Sequence, residues 1–306
     1  MKPFPGGHPP AGPGGPPVLP IPGVDYPVTK AEPRYRDLEY ASVSEAQKLD
    51  LYLPEGNGPF PVVLIVHGGA FLFGDKADQL SKTGTDYLLE QGYAVANINY
   101  RLSGEARAPA QIEDVKTAVR WLRAHAQEFQ LNPEKFGAWG SSAGGNLVAL
   151  LGTSADVPAL EGADLGNPDQ SSRVQAVVDW FGPTNFLLMD QQFTGIPESQ
   201  THDAPDSPES LLVGAPIQSR PDLVRVMNPI TYISSASAPF LIQHGTADPI
   251  VPFQQSQILY DALKAVIGEE RVTLSPIEGA GHGGGPQFWI SSNVEVVLGF
   301  LDKHLR

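Results

Sequence analysis

Two glycines bracket a serine at a spacing that suits nucleophilic chemistry, in Gly140-Ser141-Ser142-Ala143-Gly144. A G-x-S-x-G run between an extended segment and a helical one forces a sharp reversal that presents the middle serine in a strained conformation. Glycine removes the side chains that would collide there. Ser142 has Gly140 and Gly144 two residues away, whereas Ser141 has Trp139 and Ala143, so the pattern selects Ser142. A serine hydroxyl is a poor nucleophile at neutral pH and needs a base, itself oriented by an acid. In a strand–turn–helix setting the chain order is serine, acid, histidine. Asp248, in His244-Gly245-Thr246-Ala247-Asp248-Pro249, and His282, in Gly279-Ala280-Gly281-His282-Gly283, satisfy that order. The other histidines fit less well. His8 and His202 sit in Pro- or Asp-rich text, His125 falls on a helix, His304 is near the end, and His244 precedes the acid. Asp before Pro is also an ordinary turn, with Asp203 and Asp206 as weaker substitutes for the acid.

Acyl transfer builds negative charge on a carbonyl oxygen, and each preorganised N–H aimed at it lowers the barrier by roughly 2.7–4 kcal/mol. His67-Gly68-Gly69-Ala70, directly after an apolar run, offers such donors. The candidates are the amides of Gly68, Gly69 or Ala70, together with that of Ala143; a plain strand-to-loop turn is the competing reading. His67 is expected to brace this loop. Phe71, Phe73, Trp180, Phe181, Phe288 and Trp289 fall in loops or strand ends where they would line an aromatic acyl pocket, although rings at such places also build cores. No H-E-x-x-H helix, calcium loop or G-x-G-x-x-G run is present, so neither a metal nor a cofactor is expected.

These residues need a scaffold that gathers them. Runs of β type cover residues 48–53, 62–66, 94–98, 135–139, 174–180, 240–243 and 272–277, and residues 62–66 are apolar on both faces, as in a buried parallel strand. Between them, Ile112, Val115, Val119 and Leu122 share a helical face. Ile258, Leu259, Ala262, Leu263 and Val266 share another, and Val294, Val297, Leu298 and Leu301 a third. The order predicts an α/β chain with a mostly parallel, doubly wound sheet of about eight strands and helices on both faces. Ser142, Asp248 and His282 would then all project from carboxyl ends of strands. Residues 183–238 show no strand pattern and read as a lid or cap insertion in a catalytic domain spanning 38–306. Residues 1–37 form a Pro/Gly-rich arm.

Over 306 residues the net charge is −14, which repels phosphate backbones and anionic lipid surfaces and fits a small neutral substrate better than a polyanion. No apolar stretch approaches membrane-spanning length. The absence of cysteine removes disulfide and thiolate chemistry. The first residues carry no apolar leader, which makes the cytoplasm the default compartment. A homo-oligomer is left open.

With elbow, glycine loop and acid–base pair in place, the chain resembles α/β-hydrolase fold esterases of the hormone-sensitive-lipase-like group, most of all the bifunctional feruloyl/acetyl-xylan esterase (BD-FAE) branch. The likeness rests on Lys48-Leu49-Asp50-Leu51-Tyr52-Leu53-Pro54, His67-Gly68-Gly69-Ala70-Phe71, Gly140-Ser141-Ser142-Ala143-Gly144-Gly145, His244-Gly245-Thr246-Ala247-Asp248 and Gly279-Ala280-Gly281-His282, and covers about residues 38–306. It implies a Ser142–His282–Asp248 triad, an oxyanion hole of Gly68 or Gly69 with Ala143, and a serine carboxylesterase acting on feruloyl, acetyl, simple aryl or alkyl, or phthalate-type esters. Ala70 stands where the relatives' HGGG form has its third glycine, which leaves the donating amide open. An amidase, peptidase or arylformamidase uses the same residues, and a non-catalytic ligand-binding relative would keep the pocket.

Overall fold

The computed structural model describes residues 30–306 apart from 156, 194, 197, 198 and 284. Residues 1–29 of the expected arm, His8 among them, lie outside the described residues. The elements are β1 (Tyr35–Glu39), β2 (Lys48–Tyr52), β3 (Phe60–Val66), α1 (Gln79–Glu90), β4 (Ala94–Ile98), α2 (Ala110–Ala124), β5 (Leu131–Ser141), α3 (Ala143–Thr153) and β6 (Ala176–Trp180). There follow three short helices, α4 (Met189–Gln192), α5 (Pro208–Val213) and α6 (Pro221–Val224), and then β7 (Phe240–Gly245), α7 (Gln254–Ile267), β8 (Val272–Ile277) and α8 (Ser291–Leu305).

The strands form one sheet in the order β1-β2-β4-β3-β5-β6-β7-β8. β1 and β4 each run antiparallel to β2, and every pairing from β4 through β8 is parallel. Alternation along β3 shows how the two layers form. Val62, Leu64 and Val66 join the core with Ile112 and Val115 of α2, Leu147 of α3 and Leu259 of α7. Val63 and Ile65 face the opposite core with Leu88 of α1 and Val294, Val297 and Leu301 of α8. A strand buried on both faces cannot carry a polar face, hence the unbroken apolar run.

The winding changes direction between β3 and β5. β3 connects outward to β4 on one side, while β5 leads to β6, β7 and β8 on the other. At such a switch point the loops after the two strands splay apart and open a crevice at their carboxyl ends. The His67-Gly68-Gly69 loop follows β3 and Ser142 follows β5, so the glycine loop and the serine flank that crevice.

Three details depart from the sequence reading. β1 is an extra edge strand with polar text, paired to β2 in a register with a shift between Tyr35 and Leu38. β5 begins at Leu131, because Leu131 already pairs with Phe60 across β3. In α7 Val266 is 48% exposed and Ile267 takes the buried position after Leu259 and Leu263. Between β6 and β7 there is no strand among the described residues, only short helices and 3-10 turns. Asn146 of α3 ties this stretch down, donating from Nδ2 to the Pro183 and Met227 carbonyls at 2.8 and 2.9 Å. Among the described residues no helix is long and apolar enough to cross a membrane.

Candidate active site

Ser142 sits between the end of β5 and the first turn of α3 with φ 56° and ψ −120°. A non-glycine residue there is strained by about 1–3 kcal/mol, and only surrounding contacts sustain it. The structure supplies them. The Ser142 amide donates to the Trp180 carbonyl at 2.8 Å, tying the turn to the end of β6. A Cβ on Gly140 would lie 2.2 Å from the Gly144 carbonyl oxygen, and one on Gly144 would lie 2.1 Å from that of Val66. Both are nearer than any carbon can approach, so the two glycines are a packing requirement of the turn.

His282 lies on the loop after β8, and its Nε2 is 2.9 Å from Ser142 Oγ. Its Nδ1 is 2.7 Å from Asp248 Oδ2, on the loop after β7. The two loops are interlocked. The Ala247 amide donates to the Ala280 carbonyl at 3.0 Å, and the Gly279 amide to Thr246 Oγ1 at 2.9 Å. The remaining Asp248 oxygen, Oδ1, accepts the Ile250 and Val251 amides at 2.8 and 2.9 Å. A buried carboxylate with every lone-pair region occupied has one orientation available. Burial opposes the charge on Asp248, but the His282 charge and hydrogen bonds from His244 and His282 outweigh it and hold the carboxyl well below the usual carboxylate range. Asp248 is therefore ionised wherever the protein is folded near neutrality, as an acceptor for an imidazole N–H must be. Ser142 and His282 are only half-buried while Asp248 is buried, so solvent reaches the serine but not the acid.

His244 supports the acid from beneath. Its Nδ1 is 2.7 Å from Ser256 Oγ, and its Nε2 is 2.9 Å from the Val251 carbonyl and 3.2 Å from Asp248 Oδ2. Because a carbonyl only accepts, Nε2 carries the proton and donates it to the Val251 carbonyl, with the acid alongside. Its place in the chain argued against His244 as the base, and nothing in the text marked its supporting position.

The glycine loop lies against the serine, since a Cβ on Gly68 would come within 3.3 Å of Ser142 Cβ. Gly69 takes φ +116°, Ala70 φ 54° and Phe71 φ 60°, and the Gly69 carbonyl accepts the Leu72 and Phe73 amides at 2.9 and 3.0 Å. Among the described residues the amides of Gly68, Gly69, Ala70 and Ala143 have no acceptor. His67 is buried, stacks on Tyr100 with ring centroids 4.5 Å apart, and places Nδ1 2.7 Å from the Gly68 carbonyl. Burial lowers its pKa, so the ring is neutral and donates Nδ1–H to that carbonyl.

The six aromatic residues expected to line an acyl pocket mostly do something else. Trp180, Phe181, Phe288 and Trp289 belong to one buried cluster, with Trp180 within 5.0 Å of the Phe288 ring and 4.9 Å of Trp289. Phe71 is buried against Phe186 in the opposite core. Large rings exclude more water when packed on one another than when lining a wet cleft. Trp139, Trp180 and Trp289 border a cavity of about 20 Å³ beneath the elbow, with room for a water-sized body and no acyl chain. Phe181 alone of these reaches the site, with its ring 4.8 Å from the His282 imidazole. Phe73 stays half-buried beside Gly69. Among the described residues no group of three His, Asp or Glu side chains is arranged to hold a metal ion.

The chain is 33% identical over 240 residues to the esterase LipC of Mycobacterium tuberculosis, covering 78% of this chain and 57% of that protein. It spans between half and two thirds of the length of the first curated relatives it matches. Among solved structures it is similar to a truncated carbohydrate esterase from gut microbiota, with 31% identity, a TM-score of 0.80, and coverage of 90% of this chain and 99% of that one. It also resembles a bifunctional GH43-CE protein of Bacteroides eggerthii, with 34% identity, a TM-score of 0.79, and coverage of 89% and 35%. The BD-FAE family model matches residues 49–263, well over half of the chain, and the chain belongs to the BD-FAE family of α/β-hydrolase fold proteins.

Proposed function

We propose that the protein is a serine carboxylic-ester hydrolase in which Ser142, His282 and Asp248 form a catalytic triad. The single observation that carries this is the unbroken hydrogen-bond chain from Ser142 Oγ through His282 to Asp248, at 2.9 and 2.7 Å. His282 Nε2 takes the hydroxyl proton as Ser142 Oγ bonds to the ester carbonyl carbon. The same nitrogen then returns that proton to the departing alcohol as the carbon–oxygen bond breaks, leaving an acyl-serine. Water, deprotonated by His282 in turn, attacks the acyl carbon, releases the acid and restores Ser142. Asp248 fixes Nδ1–H and stabilises the transient imidazolium. The acceptor-free amides of Gly68 or Gly69, with Ala143 and Ala70 as further donors, meet the charge on the tetrahedral oxygen.

For the substrate we propose small acyl or aromatic esters, with acetyl and feruloyl groups on carbohydrate first among them. Support comes from the family and from the gut-microbiota carbohydrate esterase it resembles. Ser142→Ala should abolish turnover of p-nitrophenyl acetate and of an acetylated or feruloylated saccharide while leaving the circular dichroism spectrum unchanged. Retained turnover in that variant refutes the assignment. A matched anilide separates ester from amide preference.

A further inference from the structure

The strandless stretch between β6 and β7 touches the acid loop through one buried histidine. His202, between α4 and α5, is 1% exposed. Its Nε2 is 2.8 Å from the Ile250 carbonyl, and its Nδ1 is 2.9 Å from Glu209 Oε1 on α5. The two Asp190 oxygens fix its surroundings by accepting the amides of His202 and Asp203 at 2.6 and 2.9 Å, and the Phe193 ring stacks on the imidazole. One residue pair away, the Gln200 amide donates to the Pro249 carbonyl at 2.9 Å. A carbonyl only accepts, so Nε2 bears a proton; with Glu209 facing the other nitrogen, the ring is favoured in its doubly protonated form. Burial opposes that charge, but the neighbouring Glu209 carboxylate, the Ile250 carbonyl and the charge of Asp190 outweigh it, and the pKa is raised. Ile250 is thus gripped from both sides, since its carbonyl receives His202 and its amide holds Asp248 Oδ1 at 2.8 Å.

We propose that His202 is a positioning residue for the reaction: by holding the Ile250 carbonyl it keeps the Ile250 amide, and with it Asp248, aimed at His282. The insertion is then a fixed buttress of the acid loop at this point and does not swing free as a lid. The inference rests on the reading of Asp248 as the catalytic acid.

The test compares His202→Ala, His202→Gln and Asp248→Asn in the full chain on p-nitrophenyl acetate. Losing a hydrogen bond from a charged donor should lower kcat of His202→Ala by roughly tenfold to a hundredfold, with KM little changed. His202→Gln, whose amide can reach the same carbonyl, should recover most of the loss. The far-downfield proton resonance of the His282–Asp248 hydrogen bond should broaden or vanish in His202→Ala and persist in His202→Gln. Unchanged kcat in His202→Ala, or equal loss in Ala and Gln variants with the resonance intact, overturns the proposal. Should His202→Ala fail to fold, His202→Phe removes the donor without the bulk. It should lower kcat several-fold at constant KM, and an unchanged kcat there overturns the proposal equally. Full turnover in Asp248→Asn would instead defeat the triad assignment on which the proposal stands.

Discussion

The buried carboxyl of Asp179, on β6 beneath the elbow, offers a quantitative test of how the site is built into the fold. Its Oδ1 accepts the Gly182 amide at 2.9 Å, while Oδ2 has no partner among the described residues. Burial pushes its pKa from 3.8 up to about 6, against the Gly182 hydrogen bond and the His244 charge, which both lower it. A Cβ on Gly145 or on Gly182 would fall within 2.6 Å of Oδ1, so the carboxyl packs against the first turn of α3 and the turn after β6. The sign follows from which state holds the proton. Between pH 3.8 and about 6 the folded chain keeps a proton that the unfolded chain has released. Stability from this group is therefore intact below 3.8 and falls as pH rises through 6. A displacement of about 2 pH units corresponds to about 3 kcal/mol. Asp179→Asn has no such proton to lose. Urea unfolding of both proteins should show the variant gaining about 2 to 3 kcal/mol relative to the wild type between about pH 4 and pH 8, whatever its offset at either pH. A stability difference that stays constant across that range would mean that Asp179 holds no extra proton in the folded chain.

Other consequences are read directly from the geometry. Asp248→Asn presents an amide to His282 Nδ1 and should lower kcat by about 10⁴-fold while the urea midpoint moves little by comparison. Gly69→Ala sets a methyl 2.0 Å from the Phe73 carbonyl oxygen at a φ of +116°, so the glycine loop must rebuild; turnover should collapse even if the circular dichroism spectrum is kept. Lys76 lies 2.8 Å from Asp37 and 3.0 Å from the wholly buried Asp50. Lys76→Met leaves that carboxylate poorly compensated and should cost roughly 3 kcal/mol in urea unfolding.

Legibility of the sequence followed the strength of the physical constraint. The elbow could be read because its glycines answer to approaches of 2.1 and 2.2 Å that no other residue allows. β3 could be read because a strand buried on both sides has to be apolar throughout. β1 could not: as an edge strand with the text Tyr-Arg-Asp-Leu-Glu it has no buried face to impose a pattern. The slip in α7 has a related cause, since Val266 and Ile267 are equally apolar and only the packing of Leu259 and Leu263 decides which turns inward. Aromatic residues misled for the opposite reason. Their size suits a pocket as well as a core, and the contacts among Trp139, Trp180, Phe288 and Trp289 join strand ends to a segment more than a hundred residues away. His202 and His244 lie beyond reach of the text because their partners, the Ile250 and Val251 carbonyls and the Glu209 and Ser256 side chains, are brought to them by loop geometry and not by a readable spacing.

A single hydroxyl, that of Ser142, carries the proposed reaction. Treating the intact protein with a fluorophosphonate and mapping the adduct by mass spectrometry tests it most directly. The predicted result is a single modification on Ser142, formed rapidly in the wild type and far more slowly in His282→Ala. An adduct on Ser141, no adduct at all, or labelling indifferent to the loss of the imidazole would contradict it.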